Sequence, residues 1–417
     1  MIDNHIEGGT TVMKILIPLF SPSAGTWGSL TRVLAIAEAA VKRNHEIAFC
    51  ASGALKERLE NLNYKVFASP QPTMFGLPRF LSHCIEKHSQ NMSIPVKSGM
   101  EVGNIWFVFF ISGMTKYAYL QRLVESELAA VESFAPDMLF TEMDPGAFLV
   151  SGITNRPLAC TYASVMQKGK DTFPYAKMLK SVNKVLKGYS QSQLEELDFF
   201  DRKGVMKIIP SIPELEDIAE DTKDYVFTGA LLHSFQTIKD NEYRLELGKR
   251  YIFVYLGTGS IPLKTIKKVL PLIYPDDSSI QFLVAAMIKE KEIRMGNVVI
   301  RPYYNAGKVI PRSDWVICHG GQNTLMQSMK NGVPVIVFPG AIFERRYNAK
   351  KIVDNKTGVM GEVADFNTEW LRDKIQKKSE YTEFVQRLQR EMMKFGGAEY
   401  AIQMMEKNLE AISPCQN

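Results

Sequence analysis

The sequence predicts an α/β protein made of two Rossmann-like, doubly wound domains, and three observations lead there. The chain has 417 residues, more than one ordinary domain holds. A strand, loop, helix, strand run opens it between Lys14 and Cys50, and a second run of the same kind lies between Trp315 and Phe338. Strands that alternate with helices in this way form parallel sheets.

Residues 1–12 (MIDNHIEGGTTV) read as a polar, disordered extension without the basic start and apolar centre of a signal peptide. Lys14 to Phe20 (KILIPLF) is a buried-strand run, and Ser21 to Ser29 is a loop rich in turn residues. Leu30, Val33, Leu34, Ala37 and Val41 then fall at helical spacing, with Ser29 in the N-cap position, and His45 to Cys50 starts the second strand. Residues 69–119 are irregular and rich in Met, Phe, Trp and Pro. Pro136 to Asp144 reads as a strand entering a loop, followed by a helix near Ala147 to Ser151.

Residues 168–187 form a basic amphipathic stretch carrying Lys168, Lys170, Lys177, Lys180, Lys184 and Lys187. This pattern suits the solvated face of an ordinary helix, or weak peripheral contact with anionic lipid. Residues 208–229 shift to Pro and acidic residues, and the domain boundary is expected near residues 232–248. Tyr251 to Leu256 opens the second domain and runs into the loop Gly257-Thr258-Gly259-Ser260, a backbone-rich anion or sugar site. Gln281 to Ala286 and Asn297 to Arg301 are the next strands. Residues 369–409 read as helices, broken at Gly396-Gly397 before a last amphipathic segment.

Composition bounds the function. Nearly half of the residues are apolar (46%), so a sizeable core is expected, and the net charge of +5 is smaller and less localised than nucleic-acid binding usually needs. The five cysteines are scattered without a metal-binding spacing, which fits a reduced, cytoplasmic setting. No apolar run reaches the length that crosses a bilayer.

The chemistry concentrates in Trp315 to Asn348. A short strand ends at Cys318, and the chain breaks at His319-Gly320-Gly321. A helix then runs from about Asn323 to Lys330, and Val333 to Phe338 is the following strand. The glycines let backbone approach a ligand, and the helix start offers unpaired N–H groups with partial positive charge, a site for a diphosphate. His319, at the carboxyl end of its strand, can donate a hydrogen bond to a phosphate oxygen.

The phrases HGGQNT, GVPVIVFPG and FERRYNA resemble the donor-binding signature of GT-B fold family 1 glycosyltransferases, the bacterial macrolide-type branch in particular. The resemblance implies two domains facing a cleft, with residues 13–235 as the acceptor half and 249–397 as the nucleotide-sugar half. Residues 398–417 would then form a helix that crosses back to the first domain. It also implies transfer of a sugar from a UDP- or TDP-sugar to a hydroxyl of a hydrophobic small molecule or lipid, without metal or other cofactor. By resemblance, the donor roles fall on His319, Gly320, Gly321, Asn323, Thr324, Gly257 and Thr258, with Tyr304 stacking on the base. Met74, Phe75, Trp106 and Phe110 are expected to line the acceptor pocket.

The chain departs from the signature at several points. Gln327 stands where a Glu usually binds ribose, and Glu344-Arg345 replaces the acidic-Gln pair that reads the sugar. Ser29 replaces the His that acts as general base. Ser29 is a poor base without a partner, which leaves Glu142 or Asp144 as carboxylate bases if burial raises their pKa, or as solvated loop residues. Ser29, Gln327 and Arg345 together keep a second reading open: a sugar-nucleotide-binding protein with weak or no catalysis.

Overall fold

The computed structural model describes residues 12–20, 27–89, 99–199, 202–218, 224–233, 243–257 and 261–412. The polar extension other than Val12, most of the 21–29 loop, Thr258 and the residues after 412 lie outside them.

Two seven-stranded sheets carry the fold. The first has the order β3-β2-β1-β4-β5-β6-β7, from β1 (Lys14–Pro18), β2 (Glu46–Ala51), β3 (Lys65–Ala68), β4 (Met138–Thr141), β5 (Leu158–Thr161), β6 (Met206–Ile209) and β7 (Tyr225–Phe227). The second has the order β10-β11-β9-β8-β12-β13-β14. Its strands are β8 (Arg250–Tyr255), β9 (Ile280–Ala285), β10 (Ile293–Met295), β11 (Val298–Arg301), β12 (Ser313–Cys318), β13 (Val335–Val337) and β14 (Gly358–Met360). All pairings are parallel except β10 with β11. Central strands such as β4, β5 and β6 are buried at every residue, as a sheet covered on both faces requires.

The helices of the first domain are α1 (Trp27–Lys42), α2 (Gly53–Asn61), α3 (Arg79–Ser89), α4 (Ile105–Ile111), α5 (Tyr117–Phe134), α6 (Pro145–Thr154) and α7 (Phe173–Gly188). Those that follow are α8 (Leu263–Val269), α9 (Ala306–Val309), α10 (Gln322–Lys330), α11 (Phe343–Asp354), α12 (Thr368–Gln376), α13 (Ser379–Met392) and α14 (Gly397–Ile412). The break expected at Gly396-Gly397 separates α13 from α14, where Gly397 takes φ +60, a conformation glycine adopts without penalty.

One expectation changes. Helix α1 begins at Trp27, so Ser29 lies in its first turn and not at its N-cap. The Pro-rich, acidic stretch 208–229 holds the end of β6 and all of β7, at the edge of the first sheet.

The last helix returns to the first domain. Ala401, Ile402 and Met405 of α14 are fully buried in one apolar cluster with Val33 and Ala37 of α1 and Ile15 and Ile17 of β1. A polar clamp closes the same contact: Glu406 accepts from Arg43 at 2.9 and 2.7 Å and pairs with His45 Nε2 at 2.7 Å. His45 Nδ1 accepts from the Met13 amide at 3.1 Å, which places the ring proton on Nε2, facing Glu406.

The two domains also meet along a seam. Val102 donates its amide to Ala341 O at 2.7 Å. Glu216 accepts from the Ser164 hydroxyl at 2.6 Å and lies 3.4 Å from the Tyr347 hydroxyl.

Candidate functional site

β12 delivers His319 to the carboxyl end of the second sheet, and Gly320 turns the chain there at φ +87. Gly321 caps α10, whose first residues are Gln322, Asn323 and Thr324. A side chain at Gly320 would come within 2.9 Å of Arg345 O, so the turn tolerates none. Asn348 of α11 fixes the turn from outside, donating to Gly320 O at 2.9 Å. The late Asn of the signature thus holds the shape of the glycine turn.

The imidazole of His319 sits between two glycines. A Cβ at Gly257 would meet its ring at 3.1 Å and one at Gly321 would meet Nε2 at 2.7 Å, so both positions are bare to make room for the ring. Nδ1 lies 3.3 Å from Tyr255 O. A carbonyl can only accept, so Nδ1 carries the proton and Nε2, at the α10 N-terminus, is left with a lone pair. Burial, with the Arg345 cation adding to it, lowers the His319 pKa to about 4. The expectation that His319 donates to a phosphate is therefore refined: the ring is neutral in the free protein, and Nε2 donates only after it gains a proton.

The side chain of Asn323 is turned to the first domain. Its Oδ1 accepts from Arg32 Nη1 at 2.9 Å and its Nδ2 donates to Gly28 O at 3.0 Å. Each polar atom of the amide makes one bond across the cleft, which fixes its orientation and leaves one N–H of Nδ2 and one lone pair of Oδ1. Thr324 is half-buried in the first turn of α10 and Gln327 half-buried one turn on. Gln327 faces Gly307, whose Cβ would meet Nε2 at 3.5 Å, beside the loop before β12. Glu344 lies in the electrostatic field of both Arg32 and Arg345.

The expected carboxylate bases are engaged. Glu142 is 1% exposed. One of its oxygens accepts from Arg32 Nε at 3.1 Å and the other pairs with Arg32 Nη2, so neither is left open to the cleft. Asp144 is buried, caps α6 by accepting from the Gly146 amide at 2.8 Å, and lies against Glu127 of α5 on the core side of the sheet. Burial lifts Asp144 to about 6 and pushes Glu127 well above the usual carboxylate range. Ser29 is half-buried in α1.

Tyr304 does not stack on a base. It is buried in the core of the second domain and donates to Val299 O at 3.0 Å, whereas its neighbour Tyr303 is exposed. Trp106 is likewise a core residue, 1% exposed and packed edge-on to Phe109 and Tyr175, so it lines no acceptor pocket. Met74 and Phe75 lie in a short 3-10 turn, where Phe75 is exposed and meets Phe110 at 5.8 Å.

Arg32 was not singled out from the sequence, and Asn348 entered only as the late Asn of the FERRYNA phrase, with no role of its own. The signal for Arg32 was present: it sits one turn after Ser29 on the helix that faces the cleft, and a Glu at position 142 on a buried strand end needs a cation.

Residues 280–403 match the family described as Glycosyltransferase family 28 C-terminal domain. The demethyllactenocin mycarosyltransferase of Streptomyces fradiae is 26% identical over 113 residues, covering 26% of this chain and 24% of that one. NDP-glycosyltransferase YjiC of Bacillus subtilis (strain 168) is 29% identical over 113 residues, covering 26% and 29%. The match thus spans about a quarter of the length of these relatives. Two solved structures superimpose over nearly the whole chain. CalG4, the calicheamicin glycosyltransferase, has a TM-score of 0.73 at 13% identity and covers 97% of this chain and 100% of its own. The kitacinnamycin glycotransferase has a TM-score of 0.71 at 15% identity and covers 95% and 99%. The fold is that of these proteins.

Proposed function

We propose that this chain, which shares the fold of the glycosyltransferase structures above and matches the Glycosyltransferase family 28 C-terminal domain over residues 280–403, is a GT-B glycosyltransferase of the bacterial macrolide type that transfers a sugar from a nucleoside diphosphate donor to a hydrophobic acceptor. The observation that carries this is the His319-Gly320-Gly321 turn at the α10 N-terminus, held open by Asn348 and bare of side chains around the imidazole. Backbone N–H groups at a helix start meet the negative charge that develops as the diphosphate leaves, and they need no metal to do so. His319 takes up a proton as that charge arrives, so Nε2 becomes a donor aimed at the same place.

UDP and TDP both fit a site built from backbone. SpnG and SsfS6, two solved structures of similar fold, are complexed with thymidine diphosphate, which supports including TDP-sugars among the donors. The acceptor end is less provided for. Ser29, Glu142 and Asp144 offer no free base, so the acceptor fits best if it brings an acidic or already ionised nucleophile, a phenol or a carboxylate.

The same engagement of Glu142 by Arg32 favours, as second reading, a protein that binds the sugar nucleotide without transferring it. Release of UDP or TDP by the purified chain, across a panel of both kinds of sugar with phenols, carboxylates and aliphatic alcohols as acceptors, separates the two. Acceptor-dependent release with phenols or carboxylates supports transfer, and tight nucleotide binding without release from any pair favours the second reading.

A further inference from the structure

The face of α7 made by Phe173, Ala176, Lys177, Lys180 and Ser181 lines a shallow, open groove of about 650 Å³ with Tyr117 at the start of α5 on its other side; Ser181, at its base, is buried and donates to Thr115 O at 2.7 Å. A volume of this size suits a small molecule. The lining is apolar at one end and cationic at the other. Rings run continuously into it: Phe75 meets Phe110 at 5.8 Å, and Phe110 meets Phe173 at 5.8 Å, with Phe173 68% exposed. Exposed aromatic area in a concave setting marks a binding site more than a scattered surface residue does.

Charge narrows the ligand. Lys177 Nζ rests 4.9 Å from the Phe110 ring and 5.8 Å from that of Phe173, and Lys180 lines the same wall. The third lysine of the lining, Lys116, turns its ammonium to Gly76 O at 3.0 Å. Among the described residues, no Asp or Glu lines the groove. Lys184 Nζ rests 3.9 Å from the centre of the Tyr117 ring, so three ammonium groups, those of Lys177, Lys180 and Lys184, stand at this aromatic floor and complement a molecule with an apolar body and one anionic head.

We propose that this groove is a binding site for a free amphiphilic anion, such as an aryl or acyl carboxylate, seated with its apolar part on Phe173 and its head between Lys177 and Lys180. The groove is shallow and open to solvent, so a membrane surface is the competing occupant that the test below separates from a dissolved molecule. The site is separate from the donor turn, and it stands whether or not sugar transfer takes place.

Decanoate, kept below its aggregation concentration, is titrated into the full chain by calorimetry, with decanol as the uncharged match and phosphatidylglycerol vesicles in a co-sedimentation arm. The expected result is saturable decanoate binding at one site, about tenfold tighter than decanol. Lys177→Gln with Lys180→Gln should remove that difference and leave decanol unchanged, and Ala176→Trp, which fills the groove from an exposed helix position, should block both. UDP binding at the donor turn should be the same in every variant, so a misfolded protein is told apart from a wrong proposal. Equal affinity for decanoate and decanol overturns the proposal, as does no saturable binding. Lysine-dependent vesicle binding without decanoate binding overturns it in favour of a membrane surface.

Discussion

His319 illustrates how one side chain can be prepared for a ligand it does not yet touch. Its Nδ1 proton is committed to Tyr255 O, and burial with the Arg345 charge holds the ring neutral, at about 4. An arriving diphosphate places negative charge beside Nε2 and raises that pKa, so the complex binds a proton that the free protein does not. Nucleotide affinity should therefore rise as pH falls from the bound-state pKa towards about 4, and binding at pH 6 should take up protons. Calorimetry of UDP in buffers of different ionisation enthalpy measures the uptake; it should vanish in His319→Gln, and its persistence there would assign the proton to another group. Arg32 and Glu142 make a second residue-scale case, because both are nearly buried and each satisfies the other. Burial works against the charge on Arg32 and the Glu142 carboxylate more than offsets it. Removing one partner strands the other, so Glu142→Leu alone should cost about 3 to 5 kcal/mol in urea unfolding. Joined with Arg32→Met it should recover most of that loss, whereas additive losses in the double variant would show that the pair does not act as a unit.

At the scale of elements, α5 and α6 meet through two carboxyl groups where water does not reach. Glu127 is buried against Asp144 and Gly146, and both groups bind protons more readily folded than unfolded. The sign follows: stability from this contact is greatest below the ordinary carboxyl range and is lost as pH rises, for Asp144 between its ordinary 3.8 and about 6, and for Glu127 in the same direction as pH climbs through its raised folded value. Glu127→Gln removes the like charge while leaving a donor for Asp144. It should raise the melting temperature at pH 8 and flatten the decline between pH 5 and pH 8, and an unchanged pH profile would place the strain elsewhere. This contact also shows where sequence reading stops. The strand before Asp144, Met138–Thr141, was legible from its apolar run, and a helix was expected after it near Ala147 to Ser151. Which way Asp144 points depends on α5, whose Glu127 lies far back in the chain, and no local pattern carries that. The donor turn was legible for the opposite reason, since His319, the two glycines and the helix start are contiguous. Tyr304 shows the same limit as Asp144, because one of two adjacent tyrosines turns inward and only the packing of β11 decides which.

For the whole molecule, chain order and packing order differ. α14 follows the second domain in sequence but completes the apolar cluster of the first, with Ala401, Ile402 and Met405 beside Val33 and Ala37. The Glu406 clamp on Arg43 and His45 repeats the tie in polar form. With the Val102 bridge and the Arg32–Asn323 contact, the second domain is held to the first at separate points around the cleft. The helix is the strongest of these, because a fully buried apolar side chain contributes more than an exposed pair. Ile402→Ala leaves a cavity inside the first domain's core and should cost about 2 to 5 kcal/mol. The cost should fall on that domain although the residue lies beyond the second one. Amide hydrogen exchange should accelerate in β1 and β2 and stay near its original rate in β8 and β12. Equal acceleration in both sheets would mean that the domains unfold as a single unit; acceleration confined to the second sheet would mean that α14 belongs energetically to the domain it follows in sequence.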